Sequence, residues 1–179
     1  HTEQKIKFVQ RVTKVTLKTE NMIQLTVDEK EIRELYKKAN RDLKILLEDK
    51  FGKEFFETIQ DRVKSYEDAC FELGIDPTKL PNFKEINDQV RVSVIAYYKL
   101  TIIARALNEG WNPDYKDFKQ GWHIPVFHIN DNKTGICFLN TNFISVIDVT
   151  TFHLCCKTKE LAEYFGRQFI DIWTDYLLI

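Results

Sequence analysis

The run of residues 94–107, "VIAYYKLTIIARAL", constrains the fold more than any other stretch of this sequence. Apolar residues occupy nearly every side of a helix drawn through it, and the run ends in Asn-Glu-Gly, a typical helix stop. Because a helix that is apolar all round has to be covered on several sides, the run predicts a buried central helix. A strand is the alternative, since the preceding "VRVSVI" alternates apolar and polar residues.

The sequence that follows this helix predicts a β-β-β-α order. "HIPVFHI" at 123–129 and "ICFL" at 136–139 flank "NDNKTG", whose residues suit a tight hairpin turn. "VIDVTTFHLCC" at 146–156 predicts a third strand. Thr158 is placed to cap a single final helix that bears apolar residues at helical spacing.

The sequence before the central helix predicts strands followed by helices. Residues 4–18 alternate apolar and basic residues, which predicts one bulged strand or two short ones, and "MIQLTV" at 22–27 adds another. Asp28 opens a long amphipathic helix that Gly52 ends. The basic face of residues 4–18 favours a solvated edge strand over a surface for nucleic acid.

A shorter helix is predicted to begin at a capping box formed by Ser65 and Asp68 and to end at Gly74. The Pro- and Lys-containing stretch that follows it, residues 77–88, suggests an internal domain boundary. We therefore expect an α+β fold in which a small antiparallel sheet packs on a buried central helix and a C-terminal helix. Residues 1–80 form an N-terminal strand-helix extension and residues 81–179 the core, or the two form one continuous domain.

Composition narrows the class of function. The net charge of −1 gives no basic excess of the kind that nucleic-acid binders carry, so nucleic acid is not favoured as a partner. No apolar run reaches the ~18 residues that span a bilayer, and the first residues lack the apolar core of a signal peptide. The four cysteines are expected to be reduced and mostly buried, which favours the cytoplasm.

The titratable residues give weak signals for catalysis. No spacing of cysteines and histidines matches a zinc site, and no glycine-rich phosphate loop is present, so no metal and no cofactor are predicted. Cys155 and His153 are two apart on the predicted third strand and share a face, which makes them the candidates for a thiol-imidazole pair. Such a pair also needs an orienting group, so a non-enzymatic protein is favoured over an enzyme.

The segment after the central helix, "NEGWNPDYKDFKQGWH", is the predicted binding site. Aromatic rings interleaved with amides and carboxylates suit a ligand that stacks and accepts hydrogen bonds at its rim. The candidate ligand-binding residues are Trp111, Asn112, Asp114, Trp122 and His123. For the tryptophans, packing against the core is favoured over a ligand surface, and most of all for Trp111, which follows a predicted C′ glycine at Gly110.

Three blocks, "SYEDACFELGIDPTKLP", "YYKLTIIARALNEGWNPDY" and "LCCKTKELAEYFGRQFIDIWTDYLLI", carry a family resemblance. In their order they resemble small uncharacterised proteins of phages and prophages of Bacteroidetes-type bacteria, over roughly residues 60–179. The chain has "HIPVFHI" where that family has Tyr-Pro-Trp-Phe, and "TTFHLCC" where it has Gly-Ser-Arg. The resemblance implies a biological setting, the cytoplasm of a bacterial host, and no activity.

These observations favour a phage-encoded, non-enzymatic binding protein whose partner is a small molecule or another protein. A small Cys-His enzyme, a nucleic-acid accessory protein and a structural protein of the virion are the alternatives. A homo-oligomer is compatible with the sequence, and a membrane partner is not expected.

Overall fold

The structure is a computed structural model that describes residues 14–16, 24–26, 28–82, 87–114, 120–130, 135–145 and 152–178. The chain divides into two compact units, His1–Glu57 and Thr58–Ile179. This division lies upstream of the boundary expected at residue 80, because side chains from residues 59–70 belong to the core of the second unit. Parts of several expected features lie outside the described residues: residues 4–13 and 17–18 of the first strand, 22–23 and 27 of the next strand, 83–86 of the boundary stretch, 115–119 of the predicted binding segment, 131–134 of the hairpin turn and 146–151 of the third strand.

The first unit contains a short antiparallel strand pair followed by two helices. β1 (Lys14–Thr16) pairs with β2 (Gln24–Thr26), and the helices are α1 (Glu29–Lys38) and α2 (Arg41–Phe51). The expectation of one continuous helix is therefore wrong. Ala39 adopts an extended conformation and the Asn40 side chain accepts a hydrogen bond from the Leu43 N–H, so a new helix starts there.

Aromatic rings form the core of the first unit. A 3₁₀ turn at Lys53–Phe56 follows α2 and brings Phe56 against the helices. Ile32, Leu47 and Phe56 are buried together, and the Tyr36 ring stacks on the Phe56 ring with centroids 4.0 Å apart. Within residues 28–57, the described part with burial assigned, this cluster is the core of the unit.

The second unit begins with two short helices that cover the central one. They are α3 (Ile59–Arg62) and α4 (Tyr66–Leu73). The predicted capping box of Ser65 and Asp68 is confirmed, as is the end of α4 at Gly74, which is left-handed at φ 65°. The predicted central helix is confirmed as α5 (Asp88–Leu107), and its side chains Leu100, Ile103 and Leu107 are fully buried.

A hairpin and two C-terminal helices complete the second unit. β3 (Gly121–Ile129) pairs antiparallel with β4 (Ile136–Ser145), with an irregularity after Val126. A 3₁₀ turn at Phe152–Leu154 then leads to α6 (Lys159–Gln168) and α7 (Ile170–Leu177). The single predicted C-terminal helix is therefore wrong, because the chain breaks helical geometry at Phe169, although Thr158 caps α6 as expected.

The predicted third strand is also corrected. In the described part of residues 146–156 the chain makes a 3₁₀ turn and one isolated bridge, in which the Cys156 and His123 backbones exchange two hydrogen bonds. Among the described residues of this segment, pairing with β3 is thus limited to the base of the hairpin. The side chains of Leu154, Cys155 and Cys156 still turn inward and are buried.

The close contact between the hairpin and α6 explains why residue 166 is a glycine. A side chain at Gly166 would bring its Cβ within 2.6 Å of the Phe138 ring and 2.7 Å of Pro125, so only glycine fits there. Phe127 packs on Trp173 of α7, with ring centroids 5.0 Å apart. The second unit is thus α+β, as expected, with an antiparallel hairpin packed on the C-terminal helices and α5 in its core. Among the described residues, none of the helices combines the length and apolar character needed to cross a bilayer.

Candidate functional site

A pocket opens at the C-terminal end of α5. Its volume is about 110 Å³. The last two turns of the helix, the turn that follows them and the segment before α6 each contribute a wall. The lining consists of Thr101, Ala104, Arg105, Asn108, Trp111, Asn112, Pro113, His153 and Cys155.

One face of α5 forms the first wall. Its four lining residues lie at positions i, i+3, i+4 and i+7 from Thr101, so they project from the same side of the helix. Thr101 donates its hydroxyl hydrogen to the Tyr98 carbonyl, so this hydroxyl presents only acceptor capacity to the pocket. Arg105 is exposed, and within the described part of the chain it makes no ion pair and no side-chain hydrogen bond.

Asn108 fixes the segment that forms the opposite wall. The side chain is 5% exposed; its amide donates to the Cys155 carbonyl at 2.8 Å and its carbonyl accepts from the Lys157 N–H at 2.9 Å. The Lys157 ammonium returns to the Asn108 backbone carbonyl and to Glu109. An amide supplies the donor and the acceptor that this joint needs, and no apolar residue could replace both.

The turn after α5 brings Trp111 back toward the core. Asn108 is the C-cap, and the left-handed residues are Glu109 at φ 49° and Gly110 at φ 82°. The Trp111 N–H then donates to the Asn108 carbonyl at 2.9 Å. Gly110 therefore lies one position beyond the C′ position that was predicted for it, and a non-glycine residue, Glu109, takes that position. Glu109 is tied there by ion pairs with Arg62 and Lys157.

The structure separates the five predicted ligand-binding residues. Trp111 and Asn112 line the pocket, whereas Asp114, Trp122 and His123 do not. Trp122 is 1% exposed and is packed with Ile144 and Cys155, so it belongs to the core.

His123 and Asp114 have other surroundings. His123 is held by its backbone bridge to Cys156, and its ring meets the edge of the Phe143 ring at a centroid distance of 5.3 Å. Asp114 is exposed, and its backbone N–H donates to the Gln120 side chain at 2.6 Å. Neither residue is therefore part of the pocket wall.

The two candidates for thiol chemistry, Cys155 and His153, both line this pocket. Cys155 is 2% exposed, and burial raises the pKa of its thiol to about 12. At pH 7 about one thiol in 10⁵ would then be ionised, whereas a nucleophilic cysteine has a pKa below that of free cysteine. The pair thus lies in one place, and the raised pKa of Cys155 does not favour a resting thiolate.

The neighbouring thiol shows the same effect. Burial raises the pKa of Cys156 as well. The opening of α6 next to it is already occupied by an acidic residue: the Glu160 carboxylate has a lowered pKa, because its own backbone N–H and the Thr158 hydroxyl donate to it. The helix end therefore does not activate either cysteine.

The sequence did not predict a binding role for the pocket residues on α5 and at its C-cap. They are Thr101, Ala104, Arg105 and Asn108. The available signal was the placement of Thr101, Arg105 and Asn108 on one face of an otherwise apolar helix. A polar stripe of this kind marks the side of a helix that is not covered by the core. Nothing in local sequence, however, indicates that His153 and Cys155 face this stripe.

No group of three or more histidine, cysteine or acidic side chains within the described ranges is arranged to hold a metal ion. No protein-family model, no curated protein and no solved structure matches the chain.

Proposed function

We propose that this protein is a non-enzymatic binding protein and that it holds a small molecule in the pocket at the end of α5. The observation that carries the proposal is the convergence on one cavity of Trp111, Asn112 and the exposed Arg105. An aromatic wall beside a few polar groups is the usual composition of a small-molecule site.

The volume of the pocket limits the ligand. An apolar cavity of about 150 Å³ accepts benzene, and drug-sized ligands occupy about 300–1,000 Å³. A pocket of about 110 Å³ therefore suits a molecule of about four to six non-hydrogen atoms. Nucleotides and intact sugars exceed that size.

The competing proposal, an enzyme that uses Cys155 and His153, has less support. The raised pKa of Cys155 keeps the thiol protonated at neutral pH. Cys137 on β4 is exposed and serves as an internal reference. We expect iodoacetamide to label Cys137 in the native protein at pH 7 and to leave Cys155 unmodified; rapid labelling of Cys155 would favour the enzyme.

The biological setting of the proposal comes from the family resemblance. We place the protein in the cytoplasm of a bacterial host, encoded by a phage or prophage. Residues 5–11 of the basic strand, on which a nucleic-acid role would depend, lie outside the described part of the chain. A structural role in the virion is a further alternative that nothing in the pocket favours.

A probe screen tests the binding function. Native mass spectrometry of freshly purified protein would report any ligand carried through purification. NMR titration with acetate, acetamide, propionate, propionamide, imidazole and benzene would then follow the signals of residues that line the pocket. We expect at least one probe to shift them, because each is small enough to enter.

Two matched variants assign the binding to the pocket. Trp111→Ala removes an aromatic wall and should weaken binding at least tenfold. Phe71→Ala removes an aromatic side chain that is 86% exposed on α4 and does not line the pocket, and should leave binding unchanged. If none of the six probes perturbs the pocket residues of the wild-type protein, the proposed function is wrong.

A further inference from the structure

The charge of the pocket lining is positive. Arg105 contributes a guanidinium and His153 an imidazole, and none of the lining residues that the structure describes is acidic. The described acid nearest to Arg105 in the sequence is Glu109, two residues beyond the end of α5, and it is paired with Arg62 and with Lys157 at 3.1 Å. A ligand that enters therefore meets an arginine whose charge is not balanced by the described residues around it.

The α5 dipole opposes an anion at this end of the helix, but its effect is reduced. A helix C-terminus is negative because its last carbonyls lack partners. Here the Ala104 carbonyl accepts from the Asn108 N–H, and the Ala106 carbonyl accepts from the Glu109 N–H. The Asn108 carbonyl accepts from the Trp111 N–H and from the Lys157 ammonium. Of the carbonyls of residues 104–108, those of Ala104, Ala106 and Asn108 thus have partners, which reduces the negative charge that the helix end presents beside Arg105.

Part of the remaining lining is polar, at Thr101, Asn108 and Asn112, and the rest is apolar. Ala104, Trp111, Pro113 and Cys155 present carbon, an indole and a protonated thiol. An inorganic anion would use the arginine and would leave these surfaces without contact. A ligand with one anionic end and a short apolar end matches both parts of the lining.

Arginine also determines the shape of the anionic end. The guanidinium presents parallel N–H groups in a plane, which match the two oxygens of a carboxylate. The indole of Trp111 offers a flat surface along which such a planar group can lie. The ligand size of about four to six non-hydrogen atoms leaves room for one carboxylate and a chain of one to three carbons.

We propose that the ligand class is a short-chain monocarboxylate, whose carboxylate binds Arg105 and whose alkyl end packs against Trp111 and Pro113. This inference rests on the proposed function, because it names the ligand class of the same pocket. His153 at the pocket wall provides a second donor for the carboxylate, while the acceptor-only hydroxyl of Thr101 favours a ligand that directs no second negative charge toward α5.

Paired isosteres test the charge of the ligand. Propionate and propionamide have the same shape and number of heavy atoms and differ in charge. We expect calorimetric or NMR titration to give a Kd for propionate at least tenfold below that for propionamide, and to show weaker propionate binding as the salt concentration rises. Nitrate, a planar anion without an alkyl end, should bind at least fivefold more weakly than propionate.

Variants at Arg105 test the contact. Arg105→Gln should weaken propionate binding at least tenfold and leave propionamide binding within twofold, and Arg105→Lys should recover part of the loss because it keeps the charge. Arg167→Gln is the matched control, since Arg167 is an exposed arginine that stacks on Phe138 and does not line the pocket. Thermal denaturation of each variant confirms that it is folded.

The outcomes separate the two proposals. Equal affinity for propionate and propionamide, or an Arg105→Gln variant that binds propionate as well as the wild type, would overturn the carboxylate assignment and leave the binding function in place. Nitrate binding as tight as that of propionate would overturn the role of the alkyl end. Binding of none of the neutral or anionic probes would overturn the proposed function as well.

Discussion

The base of the hairpin and the turn after α5 hold two tryptophans with different surroundings. Trp122 lies on β3, faces Ile144 across the strand pair and is completely buried. Trp111 lies in a turn, is half-buried, and packs with one side on the same cluster while the other side lines the pocket. A strand position commits its side chain to one face of the sheet, whereas a turn at a helix end leaves a side chain between core and solvent. The two rings therefore share a cluster and differ in what they can bind.

The largest loss of stability is expected when Trp122, the buried one of the two tryptophans, is replaced. Trp122→Ala should lower the free energy of unfolding by about 3–5 kcal/mol, because a fully buried indole leaves a cavity. Urea denaturation followed by circular dichroism measures the loss. Trp111→Ala should cost about 1–2 kcal/mol, since its ring is only half-buried. Equal losses of unfolding free energy for the two variants would contradict the difference in burial between Trp122 and Trp111.

The second largest loss of unfolding free energy is expected at Asn108, which connects the end of α5 to the segment before α6. Asn108→Ala removes the hydrogen bonds to the Cys155 carbonyl and from the Lys157 N–H, and leaves these groups without their partner. We expect a loss of about 2–4 kcal/mol. Asn112→Ala is the control, because Asn112 is exposed and makes only a marginal contact at 3.5 Å with the Gly110 carbonyl. Hydrogen exchange of the Lys157 amide should accelerate only in the first variant.

The cysteines between the two regions predict a dependence of stability on pH. Burial raises the pKa of Cys155 and of Cys156 above the unfolded value of about 8.5. Their contribution to stability is thus fully present below pH 8.5 and is lost as the pH rises toward the folded pKa. Between pH 8.5 and 9.5 the two thiols together should remove about 2 kcal/mol. Urea midpoints that stay constant over this range would argue against buried, protonated thiols.

The smallest expected effect concerns His123, which the sequence favoured as a ligand residue. His123→Gln keeps the backbone bridge to Cys156 and removes the ring contact with Phe143. We expect a loss of about 0.5–1 kcal/mol in the free energy of unfolding. Probe binding at the pocket should stay within twofold of the wild type, because His123 does not line it. A Kd tenfold above that of the wild type would indicate that the binding site includes the hairpin.

Features that depend on nearby residues could be read from the sequence. The α5 helix follows from its apolar run, and the capping box of Ser65 and Asp68 follows from a spacing of three residues. The division of the helix at Asn40 could not be read in the same way. The apolar spacing continues through residues 39 and 40, and only the extended conformation of Ala39 interrupts the hydrogen bonds.

The candidate site was predicted only in part. The segment after α5 was identified by its aromatic and polar density, and it supplies Trp111 and Asn112 to the pocket. Trp122 is buried, as the packing favoured for the tryptophans predicts, and His123 next to it on β3 does not line this pocket either, because neighbouring residues on a strand face opposite sides. Arg105 was not identified because its helix was read as buried on all sides.

The amino-acid sequence by itself determined the helix caps, the hairpin and the central helix, because caps, apolar periodicity and turn residues act over about four positions along the chain. It therefore determined the α+β class and the position of the central helix. Only the tertiary structure decided where a pocket exists and which residues surround it. The hydrogen bonds that close the pocket join Asn108 to Cys155 and Lys157, which lie 47 and 49 positions further along the chain. No local sequence pattern encodes a contact at that separation.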